Sequence, residues 1–204
     1  MDRNQKFWDR HAKLYAPIQE RSNKNLFGIL IPQCGQYITG DTKVLELACG
    51  SGQFTLPLAR RAGSWEATDY SSPMVEAARK RNIPGASFSV QDATSLPYED
   101  SSFDLVLMAN ALHVMPEPQK ALEEIHRVLK PGGILLAPTF VYEGKYHTFR
   151  LKLMELAGFH PYFKWTSAEL IEVIEKAGFR TLQTQLIPSS PAPECFLAAR
   201  RADL

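Results

Sequence analysis

Between Lys43 and Pro138 the chain alternates between short apolar runs of strand character and stretches with helical spacing, and this alternation leaves few folds open. Val44 to Ala48 reads as a short buried strand, Gly50-Ser51-Gly52 as a turn, and Phe54 to Ala62 as a helix. Pro57 falls in or near the first turn of that helix, where a missing N–H costs little. Trp65 to Asp69 is a second strand. The next helix opens at Ser72-Pro73, with Ser72 as N-cap and Pro73 at the first helical position, and stops near Asn82 to Gly85. Ala86 to Val90 is a third strand. Phe103 to Ala109 is a fourth, continuous and apolar as a strand covered on both faces must be. Glu117-Pro118 opens a helix whose apolar face carries Ala121, Leu122, Ile125, Val128 and Leu129. Lys130-Pro131-Gly132-Gly133 ends it before a fifth strand, Ile134 to Pro138. Repetition of this kind builds a parallel sheet with helices on both faces.

The flanks read differently. Phe7, His11, Leu14 and Tyr15 share one helical face, and Leu26, Phe27, Leu30, Ile31 and Cys34 share another. Pro17 separates the two helices, and Pro32 predicts a kink or break in the second. Near the other end, Thr166 and Glu169 form a capping box, Trp165 can staple against Leu170, and Gly178 stops the helix. Thr181 to Ile187 and Cys195 to Arg200 are closing strands. The loop from Pro188 to Pro193 is too short for a crossover helix, so these strands should be antiparallel neighbours. A single domain over 1–204 is expected, with N-terminal helices (1–40), a core (43–138), a variable region (140–165) and a closing helix and hairpin (166–204).

A chain of 204 residues suits one such domain. Its formal net charge of +1 gives no bulk attraction to nucleic acid or anionic lipid, though it leaves room for a local basic patch. The longest apolar run, Leu105 to Met115, is interrupted by Asn110 and His113 and is too short to span a bilayer. No apolar signal core follows the first residues, so cytoplasmic residence is the default expectation. Cys34, Cys49 and Cys195 are odd in number and widely spaced, which suits neither a disulfide framework nor a zinc site, and no metal is expected.

The chemistry concentrates at strand ends. In Glu46-Leu47-Ala48-Cys49-Gly50-Ser51-Gly52 the glycines allow a tight turn and close approach of a ligand to the backbone. Glu46 sits near the carboxyl edge of its strand, where open α/β sheets bind ligands. A nicotinamide-dinucleotide fingerprint needs a third glycine three residues after the second, and that place holds Thr55. Asp69 ends the second strand at the distance expected of a ribose-binding acid, able to accept two hydrogen bonds from a diol. Asp92 follows the third strand. By itself it is equally an ordinary turn aspartate.

Taken in order, five motifs resemble those of a class I S-adenosylmethionine-dependent methyltransferase. They are the glycine turn Glu46 to Gly52, the acid in Thr68-Asp69-Tyr70-Ser71, the pair Asp92-Ala93, the segment Phe103-Asp104-Leu105-Val106, and Leu129-Lys130-Pro131-Gly132-Gly133. The resemblance covers Lys43 to Ala137 specifically and the flanks more loosely. It implies an α/β, doubly wound, Rossmann-like, mostly parallel seven-stranded sheet with an antiparallel last strand, plus N-terminal helices. It also implies S-adenosylmethionine as cofactor. Glu46, Ala48, Gly50 and Gly52 would surround its methionine and ribose, and Asp69 would hold the ribose hydroxyls. Tyr70 and Met74 would flank the adenine. Asp92 would meet the adenine amine with the Ala93 N–H nearby, and Asn110 would offer its backbone carbonyl to the amino group. Tyr15 resembles an aromatic that covers the cofactor. The chain departs from the family at Ala48, where the first glycine of the turn is expected; one added methyl predicts slightly tighter packing and retained binding.

Methyl transfer from a sulfonium is an in-line displacement in which the protein mainly positions and desolvates, and a base is needed only if the acceptor loses a proton. His113, just beyond the fourth strand, is the best-placed candidate catalytic residue; a packed or solvent-facing histidine is the competing reading. His126 reads as structural, and His147 lies in the variable region. That region is aromatic-rich, and Tyr146, Phe149, Leu153, Leu156 and Ala157 fall on one helical face. Core packing accounts for most of these residues. Tyr142 and Tyr146 are the candidate acceptor-binding pair, with the N-terminal helices as a lid and a small, partly apolar organic acceptor. Lys145, Arg150 and Lys152 read as a solvated face. A non-catalytic S-adenosylmethionine binder, a nicotinamide oxidoreductase on a related fold and a macromolecular acceptor stay open as alternatives.

Overall fold

The computed structural model describes residues 3–144, 148–156 and 158–202, apart from the side chains of 3, 13–21, 148 and 150. Five parallel strands form its centre: β1 (Lys43–Leu47), β2 (Ser64–Asp69), β3 (Ala86–Val90), β4 (Phe103–Met108) and β5 (Leu129–Leu136). They run in the order β3-β2-β1-β4-β5, continued by antiparallel β8 (Glu194–Arg201), which pairs on its other edge with β7 (Phe179–Ile187). This is the doubly wound sheet with an antiparallel last strand that the sequence predicts.

An eighth strand, β6 (Thr139–Phe140), extends the expected seven. Its register explains it. Ile134, Leu135 and Leu136 face Arg200, Ala199 and Ala198, and Thr139 and Phe140 face Cys195 and Glu194 without any slip. β6 is therefore the line of β5 resumed beyond Pro138, which has no N–H to give the ladder. A second difference lies at the start of β5. The strand begins at Leu129, directly after α5 (Pro118–Val128), and Pro131-Gly132-Gly133 forms an irregularity inside it rather than a separate turn.

Period-two alternation assigns the two faces of the sheet. Leu45 and Leu47 of β1 join Val106 and Met108 of β4 in one buried cluster, with Ile125 of α5 and Ile174 of α7 (Ser167–Lys176). Val44, Leu105 and Leu107 point the other way, onto Trp65, Leu58 and Phe196 and onto Leu30 and Cys34 of α2 (Lys24–Gly35). The capping box of Thr166 and Glu169 starts α7 as expected.

Three helix boundaries differ from their predicted places. Pro17 lies inside α1 (Arg3–Ser22), and the break between the first two helices falls at Asn23. α2 continues through Pro32; the carbonyl that loses its donor belongs to Gly28, on the exposed side of the helix. The helix expected over 54–62 shortens to α3 (Thr55–Leu58) and one 3-10 turn, Ala59–Arg61. α4 (Ser72–Arg79) is capped by Ser71, whose hydroxyl accepts the Met74 N–H at 3.3 Å, one residue earlier than predicted.

Strand order reverses between β1 and β4. At such a switch point the loops leaving neighbouring strands diverge and open a crevice at the carboxyl ends.

Candidate functional site

That crevice is a cavity of about 660 Å³. Its walls come from the carboxyl ends of β1, β2, β3 and β4, and from α1, which lies across it with Phe7, Trp8 and His11. Asn4 is 3% exposed and pins α1 in place: its Nδ2 donates to the carbonyls of Val114 (2.8 Å) and His160 (2.6 Å), and its Oδ1 accepts from the His160 N–H at 2.9 Å. Farther along, Asp9 accepts from the Ser71 hydroxyl at 2.6 Å. Phe7 and Trp8 both meet Phe159 edge-on at 6.0 Å.

Asp69 holds the turn and the next helix together. Oδ2 accepts from the Gly50 N–H and Oδ1 from the Ser71 N–H, both at 2.8 Å. Burial pushes its carboxyl up to about 6, against the pull of those two N–H groups, and the nearby Asp9 adds to the rise. Glu46 is buried at the end of β1, where its Oε2 accepts from the Thr55 hydroxyl (2.5 Å) and the Trp65 indole N–H (2.8 Å). Desolvation lifts it to about 7 although both bonds favour the carboxylate. Thr55, which the sequence reading used only to disfavour a dinucleotide fingerprint, thus has a definite task, and Trp65 shares it.

Glu46, Ala48, Gly50, Asp69, Tyr70, Met74, Asp92, Ala93 and Asn110 all line the one cavity. Tyr70 is 50% exposed at its rim, and Met74 is buried. Asp92 closes a local turn, its Oδ1 accepting from the N–H (2.9 Å) and hydroxyl (2.7 Å) of Thr94. Gly52 is different. It is absent from the cavity wall, and it serves the turn instead: φ is +84°, and a Cβ there would stand 3.0 Å from Ile83 Cδ1. Ala48 has a φ of +53°, which places an L residue in the left-handed region, so losing glycine here also carries backbone strain of about 1–2 kcal/mol. The Tyr15 side chain and Tyr146, like His147, lie outside the described residues.

The cavity wall also has apolar and aromatic members, among them Phe140, Tyr142, Leu151, Met154 and Phe159. His113 stands in this wall, 2% exposed, between the rings of Phe140 (6.2 Å) and Phe159 (6.4 Å). Its Nδ1 is buried without a hydrogen-bond partner among the described residues, and burial pushes the imidazole down to about 4. The ring is therefore neutral throughout the physiological range.

Sequence reasoning missed Glu194. Nothing in a lone acid at the start of a hydrophobic strand marks it, yet it is fully buried opposite Phe140 and Ile187. Neither carboxyl oxygen makes a full hydrogen bond among the described residues. Burial pushes the group up to about 8, with the Asn110 amide favouring the charged form only weakly. The folded chain thus holds a proton here that an unfolded chain, titrating at the ordinary 4.5, has released. Stability from this source is full below 4.5 and is lost as pH climbs through 8. Glu194→Leu is expected to raise unfolding free energy at pH 8 by roughly 2–4 kcal/mol, with a smaller gain at pH 5, measured by denaturant titration at both values. An equal gain at both would show that this carboxyl keeps an ordinary titration.

Residues 45–137 match the model of a family described as "Methyltransferase domain". That segment, a little under half of the chain, is similar to a methyltransferase domain. Over 98 residues it is 42% identical to the demethylmenaquinone methyltransferase of Paenarthrobacter aurescens (strain TC1), covering 48% of this chain and 38% of that protein. Over 97 residues it is 40% identical to phthiotriol/phenolphthiotriol dimycocerosates methyltransferase 1 of Mycobacterium ulcerans (strain Agy99), covering 46% of this chain and 36% of that one. The matched segment spans less than half the length of either relative. The fold of the chain is similar to that of an S-adenosylmethionine-dependent methyltransferase from Thermotoga maritima, with a TM-score of 0.77 and 22% identity over 96% of this chain and 98% of that one.

Proposed function

We propose that this chain transfers a methyl group from S-adenosylmethionine to a small, largely apolar organic acceptor by in-line displacement. The observation that carries this reading is a single cavity lined both by Glu46, Asp69, Asp92 and Asn110 and by aromatic side chains. The sulfonium cofactor supplies an electrophilic methyl group and a full positive charge. Asp69 is poised to accept from ribose hydroxyls, since each of its oxygens spends one bond on a backbone N–H and keeps a lone pair. Glu46 has Oε2 committed to Thr55 and Trp65, which leaves Oε1 for the ligand. A bound cation also favours ionisation of both carboxyls, which desolvation otherwise opposes. Tyr70 and Met74 flank the adenine, and Asp92 meets its amine.

Tyr142 contacts the acceptor, and α1, pinned by Asn4 and Asp9, acts as the cover that excludes water. His113 accepts a hydrogen bond from an acceptor hydroxyl and orients it toward the methyl group; its unpartnered Nδ1 is an acceptor in a desolvated wall. The relatives named for demethylmenaquinone and for phthiotriol dimycocerosates support an organic acceptor. Incubation with methyl-labelled S-adenosylmethionine and a panel of aromatic alcohols and quinols is the test. Label should reach organic-phase products of acceptors that bear a free hydroxyl and should not reach ionic acceptors of similar size. Label appearing in neither, with cofactor bound, would leave a binding protein and no transferase.

A further inference from the structure

The helix expected to pack inward by its aromatic face does the opposite. On α6 (Thr148–Leu156), Phe149 is 72% exposed, Leu153 50% and Leu156 85%. Their spacing of four and three residues puts them on one helical stripe. Lys152, also exposed, lies on the same stripe. Large apolar side chains aligned this way are uncommon on the surface of a soluble monomer unless something covers them.

The charges decide what that is. The segment 145–152 holds Lys145, Arg150 and Lys152 and no acid. The one acid of α6, Glu155, is already paired with Lys164 at 3.0 Å. A second copy packed on this stripe would bring two basic segments together and is disfavoured. An exposed apolar stripe that carries Lys152, in a segment whose sequence holds two further cations, matches the requirements of an interfacial element lying at the boundary of headgroups and acyl chains. Position adds a further argument: Leu153 is half exposed and also lines the cavity, next to Leu151 and Met154. The stripe and the cavity mouth are therefore continuous.

We propose that the outer face of α6 seats on an anionic lipid surface and lets an apolar acceptor pass from lipid into the cavity. The second half rests on the function proposed above, whereas the docking rests on the helix face alone. Contact is peripheral, since among the described residues no helix is long and apolar enough to cross a membrane.

The test is co-sedimentation of the full chain with vesicles of phosphatidylcholine alone and of phosphatidylcholine mixed with phosphatidylglycerol. Partitioning should be at least about tenfold stronger on the anionic vesicles and should fall as salt rises. Phe149→Ser combined with Leu156→Ser should lower it about tenfold or more, and Lys152→Glu about fivefold or more. None of these three positions lines the acceptor or cofactor wall, so each variant should bind S-adenosylhomocysteine like the parent chain, which also reports that it has folded. A parent chain that ignores anionic vesicles overturns the proposal, as do variants that partition unchanged. A dimer that the double serine variant converts to monomer, without vesicle binding, assigns the stripe to a second copy and equally overturns it. Failure to bind S-adenosylhomocysteine would instead count against the methyltransferase reading and leave the vesicle result standing on its own.

Discussion

Asp69→Ala is expected to weaken S-adenosylhomocysteine binding by about a hundredfold or more. Two effects combine. The bonds proposed between this carboxylate and the ribose diol would be lost, and hydrogen bonds to a charged acceptor are worth about 1.5–3 kcal/mol each. The Gly50 and Ser71 N–H groups also lose their shared acceptor, so the turn after β1 and the cap of α4 lose the link between them. Asp69→Asn separates the contributions. Its carbonyl can satisfy one N–H while the charge is gone, so a loss of about tenfold is expected. Calorimetric titration gives both numbers, with thermal melts to show that each variant is folded. Unchanged affinity in Asp69→Ala would place the ribose elsewhere.

His113→Phe is expected to lower turnover by about a hundredfold while leaving S-adenosylhomocysteine affinity within a factor of about two. Phenylalanine suits the position because His113 already sits between Phe140 and Phe159, so the ring is replaced without a cavity. An imidazole pushed down to about 4 stays neutral at every pH above 5, so its ring can accept a hydrogen bond from an acceptor hydroxyl, while burial makes it a weak base. Steady-state kinetics with the best acceptor from the panel, alongside a binding titration, tests the assignment. Equal turnover in variant and parent would make His113 a wall residue.

The core of this fold was legible because parallel strands leave strong traces. Val44 to Leu47 and Phe103 to Met108 are largely apolar, broken only by Glu46 and Asp104, and the Gly50-Ser51-Gly52 turn falls where a strand hands over to a helix. Boundaries were less visible where two devices compete. Ser71 and Ser72 are both good caps, and the choice of Ser71 follows from its N–H being held by Asp69, a contact no local pattern contains. Pro17 and Pro32 read as breakers, yet packing keeps α1 and α2 running past them. In the site, Glu46 and Asp69 announced themselves through their place at strand ends. Asn4, Asp9 and Glu194 did not, because each acts through a partner more than sixty residues away or through burial alone. The outward turn of Phe149 and Leu156 was equally hidden, since helical periodicity gives a stripe and not the side on which it faces.

The account depends on one physical claim, that the turn after β1 and the carboxylate ending β2 form a single receptor for an adenosyl group. Titration of the intact chain with S-adenosylhomocysteine tests it most directly. The predicted result is saturable binding of one equivalent per chain, lost on replacement of Asp69. A folded chain that releases no heat and shows no thermal stabilisation at saturating ligand would contradict it.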